Sequence, residues 1–157
     1  MAEYSANAIQ TINPGEVAIF TESPVPCDRG MVRHRDGTGN FLLAGIVPNI
    51  RRCGCGCNSI KSANYLIDFG ANIAIPTGGT AGQISVAIII DGATIPASTM
   101  IVTPAAVEEF WNISRAINAQ IWKGCCETVA IRNTSDQPIL MQNANILFSR
   151  PDLNVTY

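Results

Sequence analysis

The segment "RRCGCGCNSIKS", residues 51–62, carries a cysteine at every second position: Cys53, Cys55 and Cys57. Thiolates at this density are candidate metal ligands. In an extended strand, residues two apart have Cα atoms about 6.6–6.8 Å apart, whereas zinc with Zn–S bonds of about 2.3 Å needs sulfur atoms within about 4 Å of one another. A metal site therefore requires the segment to curl as a loop, which the intervening glycines permit. It also requires a fourth ligand, for which the candidates are His34, Cys27, Cys125 and Cys126.

Disulfide bonds are the second interpretation of the cysteines. Cys125 and Cys126 are adjacent, so in a strand their side chains point to opposite faces and each can pair with a different partner. Free thiols that pack as small apolar side chains are the third interpretation. A redox enzyme is disfavoured because the spacing is not Cys-x-x-Cys. The disulfide candidates are all six cysteines: Cys27, Cys53, Cys55, Cys57, Cys125 and Cys126.

Residues suited to catalysis are few. His34 is the single histidine, and its place between two arginines beside a turn predicts an exposed loop residue. A nucleophilic pair of His34 with Cys27 would need a group to orient the imidazole, for which Asp36 is the neighbour. Glu108 and Glu109 are adjacent, which favours a solvated turn over the paired carboxylates of a glycosidase. We therefore predict that the protein is not an enzyme and uses no cofactor.

The composition points instead to a protein that is covered by partners. The chain has 157 residues, enough for one domain with its own core. It is 47% hydrophobic and only 14% charged, against about 25% charged residues in a typical soluble domain. A surface this poor in charge favours association with copies of the same chain. The net charge of −2 argues against nucleic-acid binding. The longest apolar run, residues 84–90, is too short for a membrane helix.

Short stretches rich in β-branched residues, separated by Gly, Pro, Asn and Asp, predict an all-β fold. Residues 63–76 alternate most clearly, because every second side chain from Tyr65 to Ile75 is apolar. Residues 83–91 and 112–122 alternate in the same way, and residues 103–112 predict one short helical turn. Such a series of strands is typical of a jelly-roll or other Greek-key β-sandwich, and less so of an up-and-down barrel.

Several segments resemble the trimeric jelly-roll domains of the tumour necrosis factor and complement globular-head type. "NYLIDFGANIAI" resembles an aromatic-rich strand of that superfamily, and "GQISVAIIIDGATIPAS" its long strand with an Asp-Gly turn. "ETVAIRNTSDQPILMQNANILFSR" resembles the terminal pair of strands, although "KGCCET" replaces the Gly-Asp that usually comes before them. With "NAIQT", "VPCDRG" and "RHRDGTG", these segments also look like small structural proteins of phages that infect Gram-positive gut bacteria.

The resemblance implies a homotrimer that is a structural part of a virion, as a head-decoration or fibre-tip protein. Its partners would be copies of itself and other virion proteins such as capsid or fibre. It would be made in the host cytoplasm and displayed on the virion surface. The alternative is a carbohydrate- or receptor-binding head of a phage or bacterial surface fibre, which would bind a host surface glycan. The alternative location of the protein is the bacterial cell surface.

The chain divides into an N-terminal arm (1–13), a jelly-roll domain (14–150) and a C-terminal tail (151–157). We expect the arm to dock on a capsid or a neighbouring subunit by adding a strand to an exposed edge. The trimer axis is expected to be lined by strands within residues 63–76, 112–122 and 138–148. The candidate interface residues are aromatic: Tyr65, Phe69, Trp111, Trp122 and Phe148.

Overall fold

A computed structural model describes residues 1–27, 30–47 and 61–151. Cys53, Cys55, Cys57 and nearly all of the predicted C-terminal tail lie outside these residues, so the metal interpretation stays a prediction. The strands are β1 (Ala2–Ala6), β2 (Gln10–Ile12), β3 (Glu22–Val25), β4 (Val32–His34), β5 (Phe41–Ala44), β6 (Ser62–Ala74), β7 (Ile84–Ile90), β8 (Ala93–Thr94), β9 (Met100–Val102), β10 (Trp111–Trp122), β11 (Cys126–Asn133) and β12 (Ile139–Ser149).

The strands form two antiparallel sheets packed face to face, which confirms the predicted all-β jelly-roll sandwich. The first sheet has the order β10-β6-β12-β1-β3, with β2 also paired to β12. The second sheet has the order β4-β5-β11-β7-β8, with β9 also paired to β7. From β9 onward, successive strands alternate between the sheets. Among the described strands, only β4–β5 and β7–β8 pair with their neighbours in sequence.

The strand β6 lies between β10 and β12 in the first sheet, and its alternation is as predicted. Tyr65, Ile67, Phe69, Ala71 and Ile73 are each at most 2% exposed and face the second sheet. Every residue from Ser62 to Ile73 lies opposite a residue of β10, and β12 pairs with the other side of β6. The apolar period therefore fixes the register of three strands together, because a slip of one residue would turn all five side chains out to solvent.

The strand β7 is buried more completely than its alternation predicted. Besides the predicted inner face, Ala87 and Ile89 on the outer face are 0% and 4% exposed. Arg132 lies opposite Ala87 on β11, and its Nη1 donates to the carbonyl of Gly92 at 3.0 Å. The arginine stem therefore extends over these small outward side chains, as long charged side chains often do.

The predicted helical turn forms elsewhere in the chain. Residues 103–110 make a loop instead, in which the Glu109 carboxylate accepts hydrogen bonds from the backbone N–H groups of Ala105 and Ala106. Glu108 has φ of 59°, which breaks any helix there. The one helical turn among the described residues is a 3₁₀ turn at Pro96–Ser98, which follows β8 and begins with a proline.

Residues 2–6 do not form a free arm. They are the strand β1, which pairs with β12 along five positions from Ala2 to Ala6 and with β3 on its other side. Ala2, Tyr4 and Ala6 are at most 4% exposed, so the segment is part of the core. The physical reason is its own alternation, which places small and aromatic side chains on one face of an otherwise short strand.

Aromatic rings join the two sheets at one end of the sandwich. The ring of Phe41 on β5 lies 4.9 Å from that of Tyr4, 5.1 Å from Phe20 and 5.1 Å from Phe148, between ring centroids. It also stacks on His34 at 4.3 Å. Since Phe41 is 0% exposed and contacts both sheets, its ring fills the space between them.

A buried amide closes the opposite end. Asn133, at the end of β11, is 1% exposed. Its Nδ2 donates to the carbonyls of Ile12 and Gln137, both at 2.9 Å, and its Oδ1 accepts from the N–H of Ser135 at 2.8 Å. Both amide protons are therefore satisfied, which makes the burial of this polar group tolerable.

We expect Phe41→Ala to lower the free energy of unfolding by about 3–5 kcal/mol, because it removes a buried ring and leaves a cavity between the sheets. Phe110→Ala removes the same atoms from a site that is 39% exposed. It should cost well under half as much. Urea unfolding of both variants at one protein concentration measures the difference, and equal losses would contradict the central position of Phe41.

Candidate interaction surface

The outer face of the three long strands of the first sheet carries little charge, and the neighbouring β1 adds Glu3, whose Oε1 accepts a hydrogen bond from Nδ2 of Asn145 at 2.7 Å. The three long strands β6, β10 and β12 present alternate side chains to solvent, and most of these are amides, hydroxyls or small groups. Asp68 is the only charged side chain at the outward positions of these three strands. We call this surface the amide face; its amides are Asn64, Asn72, Asn112, Asn118, Gln120, Gln142, Asn143 and Asn145.

Hydrogen bonds between neighbouring strands organise the amide face. Nδ2 of Asn112 donates to Oδ1 of Asn72 at 3.2 Å, and Nε2 of Gln120 donates to Oγ of Ser62 at 2.7 Å. Asn112 lies directly opposite Asn72 in the ladder between β6 and β10. Gln120 lies two residues before the residue opposite Ser62. These bonds use only part of each amide's capacity of two donors and two acceptor sites. The face therefore presents many further donors and acceptors without a field of like charges.

An exposed apolar group borders the amide face, at the open side of the sandwich. Ile101 on β9 is 57% exposed, and Trp111, the first residue of β10, is 44% exposed. Val107 and Phe110, in the loop between these strands, are 38% and 39% exposed. We call these four residues the apolar edge. Since β9 and β10 are edge strands of opposite sheets, no strand within the described residues covers this edge.

The predicted interface aromatics separate into two groups. Trp111 and Trp122 are exposed, at 44% and 56%, at the two ends of β10. Tyr65, Phe69 and Phe148 are each 1% exposed and belong to the core, so their side chains are not on the surface of the protomer. Their strands do contribute to the amide face, but through the opposite set of side chains.

His34 is not an exposed loop residue. It ends β4, it is half-buried, and its ring stacks on Phe41 with 20° between the planes. Its Nδ1 lies 3.1 Å from the carbonyl of Asn40 and its Nε2 lies 3.3 Å from the carbonyl of Phe20. Both nitrogens therefore face backbone oxygens, and neither faces a thiol. The ring is held as part of the aromatic cluster.

Cys27 lies near His34 in a cavity of about 460 Å³ between β3 and β4 but does not pair with it. Its Sγ accepts a hydrogen bond from the N–H of Val32 at 3.4 Å. Asp36 accepts one from the Ser23 hydroxyl, so it does not orient the imidazole. Burial raises the pKa of the Tyr4 hydroxyl in this cavity, and the charges of Cys27 and Asp36 raise it further. The arrangement keeps a neutral phenol and offers no Cys–His nucleophile.

The described cysteines are free thiols. Cys125 and Cys126 are exposed at the turn from β10 to β11, and Cys27 is half-buried. The chain approaches this turn closely at Gly45, where a Cβ atom would lie 1.9 Å from the carbonyl oxygen of Trp122. No three His, Cys, Asp or Glu side chains of the described residues are grouped so as to hold a metal ion. A disulfide between Cys27 and either exposed cysteine is not formed.

The comparisons with known proteins show the fold. No protein-family model and no curated protein sequence matches the chain. The globular domain of zebrafish complement 1qA protein is similar in structure, with a TM-score of 0.52 and 10% identity over 93% of this chain and 94% of that one. Pika GITRL aligns with a TM-score of 0.42 and 13% identity over 96% and 99%. A family 35 carbohydrate-binding module from an environmental isolate aligns with a TM-score of 0.40 and 10% identity over 96% and 94%. In the described residues, no helix is long and apolar enough to cross a membrane.

Sequence reasoning missed the amide face, although its signal was present. The alternation that places Tyr65 and Ile67 inside also places Asn64 and Asn72 outside, and the same holds for Asn112 and Asn118 on β10. The apolar edge had no such signal. Its residues come from β9, a loop and β10, and only the crossing between sheets brings them together.

We expect Cys125 and Cys126 to alkylate in the native protein well before Cys27, because they are exposed and the Cys27 thiol is half-buried and hydrogen-bonded. Peptide mass spectrometry after timed labelling measures each rate, with reduced and denatured protein as the control. If labelling at Cys125 or Cys126 appears only after reduction, they are held in disulfides. Equal labelling with and without reductant would contradict the disulfide interpretation.

Proposed function

We propose that the protein is a non-enzymatic structural protein that assembles as a homotrimer. The observation that carries this proposal is the pairing of a broad uncharged amide face with an exposed apolar edge. The strands β6 and β10 are 13 and 12 residues long. The three strands of the amide face, spaced about 4.8 Å apart, give it a size of roughly 15 Å by 40 Å. Together with the apolar edge, this approaches the about 800 Å² that each partner contributes to a standard interface.

Amides suit a surface that is buried in an assembly. Removing a charge from water costs far more than removing an amide, so one Asp among these outward positions keeps the penalty small. Asn and Gln each carry donors and an acceptor, so they can hydrogen-bond to the same residue types on a second copy. A face meant to stay solvated would gain solubility from Lys and Glu, which these outward positions lack.

The apolar edge and the amide face are different surfaces, so contact between them is heterologous. Such a contact repeats from copy to copy and either closes as a ring or grows as a filament. In the proposed trimer, Trp111 and Phe110 of one subunit pack on the amide face of the next, and the ring closes after three copies. The leucines at its centre, Leu66 and Leu147, provide half-buried apolar area for that contact.

A virion is the proposed setting of this trimer, as a head-decoration or fibre-tip protein displayed on the particle surface. The proposal is supported by the likeness of the quoted segments to phage structural proteins and by a surface suited to assembly. Capsid or fibre proteins are the further partners that this setting implies. Placement on a bacterial cell surface is the alternative.

We expect Leu66→Lys to dissociate the trimer, because it places a charge at the centre of the buried amide face. Multi-angle light scattering should give a mass near three chains for the wild type and near one chain for the variant. Thr94→Lys on the exposed strand β8 adds the same charge to the other sheet and should leave the mass unchanged. A monomeric wild type at high concentration would overturn the proposal, and so would equal masses for wild type and Leu66→Lys.

A carbohydrate- or receptor-binding head is the second candidate function. It is favoured by one observation: the exposed aromatic residues Phe110 and Trp111 come directly before Asn112, whose Nδ2 donates to Oδ1 of Asn72. Aromatic rings beside amides are suited to sugar rings with hydroxyl groups. A glycan array should then show binding that Trp111→Ala abolishes. An array without binding would contradict this function.

A further inference from the structure

A groove of about 400 Å³ lies on the outer face of the second sheet, away from the amide face. It runs over β4, β5 and β11, and its lining includes Arg33, Arg35, Asn40, Leu42 and Thr128. Its volume is within the range of roughly 300–1,000 Å³ that is usual for small-molecule sites. Two cationic side chains therefore line one concave surface of a chain whose net charge is −2.

The two arginines of the groove differ from the other arginines that the structure describes. Arg115 donates from Nε to the carbonyl of Ala97 at 2.9 Å, and Arg132 donates from Nη1 to the carbonyl of Gly92 at 3.0 Å. Arg150 donates to the carbonyl of Ile46 at 2.9 Å. Within residues 1–27, 30–47 and 61–151, no side-chain hydrogen bond or ion pair is made by Arg33 or Arg35. Their guanidinium groups present ten N–H donors in all, by the ordinary count of about five each.

The backbone that carries these arginines is held firmly. Thr38 closes the turn after Arg35, since its N–H and its Oγ1 both donate to the Arg35 carbonyl, at 3.1 and 2.7 Å. The N–H of Gly37 donates to the carbonyl of Phe20 at 2.8 Å, and the N–H of Phe20 donates to the carbonyl of Thr38 at 3.0 Å. Arg33 lies directly opposite Leu42 in the ladder of β4 and β5. The backbone at both arginines is thus fixed before any ligand binds.

The side chains of the groove favour a ligand that carries an anionic group on an otherwise polar, uncharged molecule. Two guanidinium groups match the paired oxygens of a carboxylate or sulfate. Asn40 and Thr128 add neutral groups that hydrogen-bond hydroxyls, and Leu42 gives a small apolar floor. The carboxylate of Asp91 already accepts a hydrogen bond from the Thr128 N–H at 2.6 Å. A nucleic acid is disfavoured because the positive charge is confined to one groove and forms no stripe.

We propose that this groove binds an acidic saccharide through its carboxylate or sulfate, with Arg33 and Arg35 as the anion-binding residues. The inference goes beyond the proposed assembly, and it does not depend on it. The groove lies on the second sheet, whereas the proposed contact uses the first sheet and the apolar edge. The site therefore remains open to solvent when the trimer forms.

Isothermal titration calorimetry at about 50 mM salt tests the proposal, because low salt leaves surface charge little screened. The probes are trigalacturonate for the carboxylate, a heparin-derived sulfated disaccharide for the sulfate, and maltotriose as the neutral control. We expect one or both acidic probes to bind and maltotriose not to bind. The double variant Arg33→Gln, Arg35→Gln should weaken binding at least about tenfold, since it removes both charge-assisted contacts. Arg115→Gln removes an exposed arginine from the first sheet and should leave the affinity unchanged.

Light scattering and urea unfolding of the double variant separate loss of binding from loss of fold or assembly. Both should match the wild type, because neither guanidinium makes a hydrogen bond or ion pair within the described residues. Absence of binding for both acidic probes would overturn the proposal. Equal affinity in the double variant would also overturn it, as would binding of maltotriose as tight as that of the acidic probes. A Leu66→Lys variant that loses assembly but keeps Arg-dependent binding would show that the two proposals stand separately.

Discussion

The structure depends on the period-2 constraint along β6, the 13-residue strand that lies between β10 and β12 in the first sheet. Because successive side chains of a strand point to opposite faces, burying Tyr65, Ile67 and Phe69 forces their neighbours to the outside. The twelve paired positions with β10 then carry the same division to the next strand. One register thus decides the composition of the core and of the surface at the same time.

The surface that results has little in common with an ordinary solvated sheet face. Asp68 is the one charged residue among the amides, hydroxyls and half-buried leucines at the outward positions of the three long strands. The two sheets consequently have different characters. The first presents polar but uncharged groups that are cheap to desolvate, while the second carries the arginine groove. This difference is the physical basis for assigning self-association to one sheet and recognition of an anion to the other.

Much of the fold followed from local pattern. The alternation in residues 63–76 and 112–122 predicted both strands and their buried sides, and "DGTG" lies in the connection between the paired strands β4 and β5. The prediction of a helical turn within residues 103–112 was wrong. Ala and Glu at 105–109 favour helix, but the Glu109 carboxylate stabilises a loop there, and the backbone of Glu108 is in the left-handed region. The sequence predicted an arm where the structure has β1, because a strand of five residues shows little local sign of burial without its partner β12.

The candidate sites were less predictable for the same reason. His34 looked exposed between two arginines, yet Phe20 and Asn40 supply the carbonyls that surround its ring and Phe41 supplies the stacking surface. The sequence by itself determined the all-β class, the inward and outward faces of the long strands and the scarcity of charge, because these depend on the order of neighbouring residues. The tertiary structure decided which strands became edges, which aromatics were buried and which arginines met in one groove. Those outcomes depend on pairings between residues far apart in the chain, which no local period encodes.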